Sequence, residues 1–174
     1  RPIPSSFPPI GSLSVIKSLR KAGFDNVEFF HIDGNRPNYE DVKEKISFLR
    51  PDIVGISAVV STAYAYTKRL SLDIKSINPN TFVIVGGNLA ASAEILLRKA
   101  KVDVCVVGEG EVTIVEIAKT LQKDRSTKDF TAVKGIVYLD QKNNLVNTGY
   151  RPDLIGDDIW DFGIKPENLE AYLL

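Results

Sequence analysis

The chain has 174 residues, 44% hydrophobic and 25% charged, which suits one globular domain with enough apolar side chain for a sizeable core. Its 22 basic and 22 acidic residues cancel, so no global field recruits nucleic acid or an anionic membrane surface. The single cysteine, Cys105, excludes an internal disulfide framework and fits a reducing, cytoplasmic setting, and no apolar run reaches the length of a membrane span.

In chain order, Arg1 to Ile10 is rich in proline and serine, lacks a signal-peptide core, and opens directly into a helix over 11–23 that Gly23 can stop. Val27 to Ile32 reads as a strand. A helix follows over 39–49, capped by Asn38 and ended by Pro51. Ile53 to Ser57 is the next strand, and a helix over 62–77 is capped by Ser61 or Thr62 and ended by Asn78-Pro79. Phe82 to Val85 is a strand, 89–100 a helix, and Val102 to Val107 a strand that runs through Gly108-Glu109-Gly110 into a helix over 111–123. Beyond a polar connection, Gly135 to Leu139 and Leu145 to Thr148 form a β-hairpin around the turn-rich Asp140 to Asn144. From Tyr150 the chain is rich in Pro, Asp and Gly, with Trp160 and Phe162 as isolated anchors. It reads as a linker, so the organisation expected is a domain over 1–149 followed by a connection over 150–174.

Alternating strands and amphipathic helices predict an α/β fold: a Rossmann-like (flavodoxin-like), doubly wound, mostly parallel sheet with an appended C-terminal β-hairpin. Three of the strands are nearly continuous apolar runs, which implies burial on both faces and therefore helices front and back. Such a sheet normally opens on a strand, whereas this sequence opens on a helix. Either an N-terminal strand precedes it or the sheet is arranged differently. The lack of any methionine points to an excised segment.

The residue types exclude several chemistries. His31 is the only histidine and follows no nucleophile-elbow motif, so Ser-His-Asp and Cys-His hydrolysis are disfavoured. One Cys and one His far apart do not make a zinc ligand set. No phosphate-binding P-loop is present, and Gly108-x-Gly110 lacks the third glycine of a dinucleotide fingerprint. Glu109 and Glu111 would repel a pyrophosphate at that helix start. What remains is a set of small and hydroxyl residues at successive strand ends: Pro8-Pro9-Ile10-Gly11, Ser57-Ala58-Val59-Val60-Ser61-Thr62, Gly86-Gly87-Asn88 and Gly108-Glu109-Gly110. Each alone is read as readily as a tight turn. Together they predict a broad crevice floored by backbone, suited to a large flat or elongated ligand and holding no catalytic side chain.

At these residues the sequence resembles the cobalamin-binding domains at the N-terminus of cobalamin-dependent radical SAM enzymes. The pieces that carry the resemblance are Pro8 to Gly11, Arg50 to Ser57, Ile77-Asn78-Pro79, Val85-Gly86-Gly87-Asn88, Gly108 to Glu111 and Lys134 to Tyr138, in that order and spacing. The family includes anaerobic magnesium-protoporphyrin monomethyl ester cyclases, methyltransferases and iron-sulfur oxidoreductases, so the resemblance identifies a module better than a reaction.

The resemblance implies cobalamin lying across the carboxyl ends of the strands with its dimethylbenzimidazole tail in the sheet edge. It places Ser57, Val59 and Ser61 in the tail pocket, Gly86 and Gly87 beside the tail, and Pro9, Gly11, Thr62, Asn88, Gly108, Glu109 and Gly110 around the cleft. Methionine-synthase-type domains carry D-x-H-x-x-G, with the histidine on cobalt. Here Ser6-Phe7-Pro8-Pro9-Ile10-Gly11 keeps the glycine and has proline at the histidine position, so no lower ligand comes from this motif. The radical SAM signature C-x-x-x-C-x-x-C is also absent, so the 4Fe-4S cluster and S-adenosylmethionine belong to the parent enzyme and its catalytic domain, the expected partner. The competing expectation is a docking or dimerisation module of the same fold with the crevice unused; a weaker one is a receiver-like phosphate- or nucleotide-binding protein.

Overall fold

A computed structural model of the chain describes residues 9–59 and 61–152. Its five strands are β1 (Ile53–Ser57), β2 (Phe82–Gly86), β3 (Val104–Val106), β4 (Ile136–Leu139) and β5 (Leu145–Asn147), side by side in that order in one sheet. β1, β2 and β3 run parallel, with Ser57 beside Gly86 and Val85 beside Cys105. β4 and β5 run antiparallel as the appended hairpin, with Val106 beside Ile136 and Leu139 beside Leu145. The six helices are α1 (Ile10–Lys21), α2 (Ile32–Asn35), α3 (Tyr39–Leu49), α4 (Tyr64–Ile77), α5 (Ala93–Lys99) and α6 (Glu111–Lys123). The fold is the expected α/β Rossmann-like one.

Two-sided burial follows directly from the strand sequences. Val83, Val85, Cys105 and Val137 face one core with Val42 of α3, Leu70 and Ile74 of α4, and Leu96 of α5. Their neighbours Ile84, Val104, Val106, Ile136 and Tyr138 face a second core with Ile114, Ile117 and Leu121 of α6, against which Val15 and Leu19 of α1 pack. Successive strand residues point to opposite faces, so a continuous apolar run feeds both layers at once.

Local signals set most boundaries. The backbone N–H of Asn38 donates to the Asp41 carboxylate at 3.2 Å in a capping box that opens α3. Arg50 closes the same helix in the left-handed region, just before Pro51. Gly23 takes φ +90° after α1. At α4 the expected cap is corrected: Ser61 and Thr62 lie in a 3₁₀ turn (Ser61–Ala63), and the cap position is Ala63, with no side-chain bond.

The larger correction concerns Val27 to Ile32, which forms no strand. Its backbone–backbone bonds are local: Val27 N–H donates to the Asp25 carbonyl at 2.9 Å, Ile32 N–H to the Phe30 carbonyl at 3.1 Å, and the His31 and Ile32 carbonyls accept from the N–H groups of Asn35 and Arg36 at 2.9 and 3.0 Å. A strand is defined by its ladder, and among the described residues nothing pairs with this segment. Phe30 and Ile32 instead pack onto the first core, and Lys45 of α3 lies over the Phe30 ring at 5.0 Å. β1 correspondingly stands at the edge of the described sheet.

Candidate functional site

The carboxyl ends of β1, β2 and β3 deliver three loops to one edge of the sheet. Ala58 and Val59 follow β1, Gly87 and Asn88 follow β2, and Val107 to Gly110 follow β3. The first two are stitched together by backbone: Ala58 N–H donates to the Gly86 carbonyl at 3.0 Å, and Leu89 N–H donates to the Ala58 carbonyl at 3.0 Å. This brings Ser57, Val59, Gly86, Gly87 and Asn88 into one surface. Ser57, Gly87 and Asn88 are exposed, and Val59, an apolar residue, is 62% exposed.

The two adjacent glycines serve different ends. Gly87 has φ +80°, and a Cβ there would lie 2.7 Å from the Ala58 carbonyl oxygen, so no side chain fits without moving the neighbouring loop. Gly86 ends β2, and among the described residues a Cβ built on it would meet nothing within 4 Å. One glycine closes the turn; the other leaves bare backbone facing open space.

Glycine is required again in the β3 loop, where Gly108 has φ +82°; among the described residues its would-be Cβ meets Tyr150 Cδ1, at 3.5 Å. Glu109 is exposed. Gly110 caps α6 and packs against Val15 of α1, whose Cγ2 would lie 3.4 Å from a Cβ there. Glu111 opens α6, where the helix dipole favours a carboxylate, and its Oε2 is buried with no hydrogen-bond partner among the described residues. Thr113 ties the loop to the hairpin, its hydroxyl lying 3.1 Å from the Lys134 carbonyl and 3.3 Å from the Glu109 carbonyl.

Other sequence candidates fall less centrally. Pro9 caps α1 and Gly11 sits in its first turn, with no heavy atom among the described residues within 4 Å of a would-be Cβ. That helix reaches the β3 loop through the Val15–Gly110 contact. Thr62 is exposed in the 3₁₀ turn that Ser61 begins, while Pro8, Val60, Trp160 and Phe162 lie outside the described residues. His31 stacks on Phe29 with ring centroids 5.9 Å apart and lies over Gly34, where a Cβ would come 2.5 Å from its Nδ1. The Cys105 thiol is fully buried in β3 and pushed up to about 12 by desolvation, so it is packing rather than chemistry. Among the described residues no three His, Cys, Asp or Glu side chains gather as a metal site, and no helix is long and apolar enough to cross a membrane.

Tyr150, where the expected connection over 150–174 begins, lies beside the β3 loop, its Cδ1 3.5 Å from a would-be Cβ on Gly108. Its neighbours make long-range bonds: the Gly149 carbonyl accepts from the N–H of Gly135, just before β4, and Arg151 donates to Thr113 and pairs with Glu116 of α6.

The chain is similar to known proteins. The model of the B12 binding domain family matches residues 2–118. The anaerobic magnesium-protoporphyrin IX monomethyl ester cyclase of Cereibacter sphaeroides is 29% identical over 154 residues, 87% of this chain and 25% of that protein. An uncharacterized methyltransferase of Pyrococcus horikoshii is 35% identical over 149 residues, 83% of this chain and 30% of its own length. The chain thus spans about a quarter to a third of these relatives. Two solved structures share the fold at 19% identity. OxsB, a cobalamin-dependent S-adenosylmethionine radical enzyme with aqua-cobalamin and S-adenosylmethionine bound, gives a TM-score of 0.69 over 85% of this chain and 21% of its own. The radical S-adenosylmethionine methyltransferase TsrM from Kitasatospora setae gives 0.67 over 82% and 27%. With the family model covering well over half of its residues and the parallel-strand edge in place, the chain belongs to the B12 binding domain family.

Proposed function

We propose that this chain is the cobalamin-holding module of a larger radical SAM iron-sulfur enzyme, with the corrin across the carboxyl ends of β1, β2 and β3. The observation that carries the reading is the bare backbone at Gly86, set between the Ser57 end of β1 and the Gly108 loop, in a chain of this family. A broad ligand lies close to a sheet edge only where side chains are missing. Gly86 supplies that gap, and Gly87 supports it by holding the Ala58 loop in place. Ser57 and Ser61 offer hydroxyls for hydrogen bonds to the nucleotide tail, Val59 offers an apolar contact, and Thr62, Asn88, Gly108, Glu109 and Gly110 border the cleft with Pro9 and Gly11 behind them.

Within this reading the protein contributes position and the cofactor contributes reactivity, since bound cobalamin supplies the metal-centred chemistry. Proline at the histidine position of D-x-H-x-x-G, together with the packing of His31 on Phe29 and Gly34, supports binding without a histidine lower ligand. The cluster and S-adenosylmethionine of the parent enzyme would be held by its catalytic domain, and the connection expected over 150–174 would lead to it beyond the Arg151 anchor.

Titration with hydroxocobalamin, followed by visible absorbance, tests the proposal. Stoichiometric binding is expected. Gly86→Leu, whose side chain enters open space, is expected to weaken binding by about tenfold or more while leaving the melting temperature of the ligand-free protein near that of the parent. No binding under either oxidising or reducing conditions would sink the reading and favour a docking module.

A further inference from the structure

We infer that Tyr150 belongs to the site, its ring forming an apolar wall against which the bound corrinoid packs; this rests on the cobalamin reading above. The residue is fixed from both sides. Before it, Gly149 at φ +78° accepts a hydrogen bond from the Gly135 N–H at 2.8 Å, and Thr148 N–H donates to the Ile136 carbonyl at 3.0 Å. After it, Arg151 donates from Nε to the Thr113 hydroxyl at 3.2 Å and pairs with Glu116 of α6. The Arg151 side chain is only 16% exposed, whereas Tyr150 is 79% exposed.

A single exposed apolar residue is ordinary on a protein surface. This one is set apart by its clamps and by its place. The ring stands against Gly108, in the β3 loop, and so on the same sheet edge as Gly86 and Val59. Gly108 itself presents no side chain, so the ring provides apolar surface at that position. A tyrosine offers a flat face at small entropic cost and a hydroxyl that stays solvated at the rim. That suits a macrocycle with an apolar face and a polar edge.

The test compares Tyr150→Ala and Tyr150→Phe in the full chain. Binding of hydroxocobalamin is followed by visible absorbance and by the circular dichroism induced in the corrin bands. The expected result is about tenfold weaker binding and an altered induced spectrum for Ala, and affinity within about twofold of the parent for Phe, because the flat ring is retained. Both variants should keep the ligand-free melting temperature, as the exposed ring contributes little to the fold. Parent-like affinity and spectrum in Tyr150→Ala would overturn the assignment, as would weaker binding matched by an equal loss of ligand-free stability. If Gly86→Leu weakens binding and Tyr150→Ala does not, Tyr150 alone is excluded. If the parent protein binds no cobalamin, the assignment falls with the reading it rests on.

Discussion

Two neighbouring glycines show how much a single backbone position determines here. At Gly87 the direction a side chain would take is occupied by the Ala58 carbonyl, and φ +80° is strained for any other residue. Gly87→Ala is therefore expected to cost about 1–3 kcal/mol of stability by the strain alone, with more from the displaced loop. Chemical denaturation measures this, and an unchanged midpoint would contradict the contact. Any loss of ligand binding in that variant would follow from the fold, which is why the steric test of the cleft belongs at Gly86. The sequence shows the pair Gly86-Gly87 at a strand end but not which glycine closes the turn, because the partner atom belongs to Ala58, twenty-nine positions earlier. Tyr150 was hidden for the same reason: its neighbours' bonds to Gly135, Thr113 and Glu116 connect segments that have no local pattern in common.

At the scale of elements, hydrophobic period and capping chemistry predicted most of what forms. The helix over 39–49 and the strand over 53–57 begin and end where Asn38, Pro51 and the apolar run indicate. Val27 to Ile32 fails because a strand is a property of a pair. Its side chains suit a sheet, but the ladder that would hold it is set by another segment. The hairpin is the opposite case, with its turn chemistry entirely local. The Asp140 carboxylate accepts from the backbone N–H of Asn144 at 2.8 Å, from its side-chain amide at 3.1 Å and from the backbone N–H of Lys142 at 2.8 Å, and these bonds, those of Asn144 foremost, hold its carboxyl below the ordinary value. A depressed folded pKa means that this contribution is fully present above the unfolded value near 4 and is lost as pH falls through the lower folded value. The Asn144 amide chemical shift is expected to titrate in that acidic window and to be flat above pH 5. A midpoint at or above 4 would contradict the turn.

For the whole molecule, the two cores divide the chain into regions of unequal stability. β2, β3 and β4 are buried on both faces, while no residue of α1 is fully buried and residues 24–31 carry no ladder bonds. Amide hydrogen exchange is expected to be slowest in Val83 to Val85, Val104 to Val106 and Ile136 to Tyr138, and fastest, among these regions, across 24–31. Uniform protection across both regions would show that the segment is held by contacts the sheet does not account for. The candidate cleft lies between these extremes, its floor on β1 to β3 and one flank on α1 through Val15.

The hairpin also settles a question of parity. β3 reaches the cleft edge, β4 carries the chain away from it, and β5 brings it back, so two reversals restore the original side. A single added strand of four residues would have released the chain about 13 Å away, at the far edge of the sheet. An even number of passes is what returns Gly149, Tyr150 and Arg151 to the side of the sheet where Gly86 and Gly108 lie.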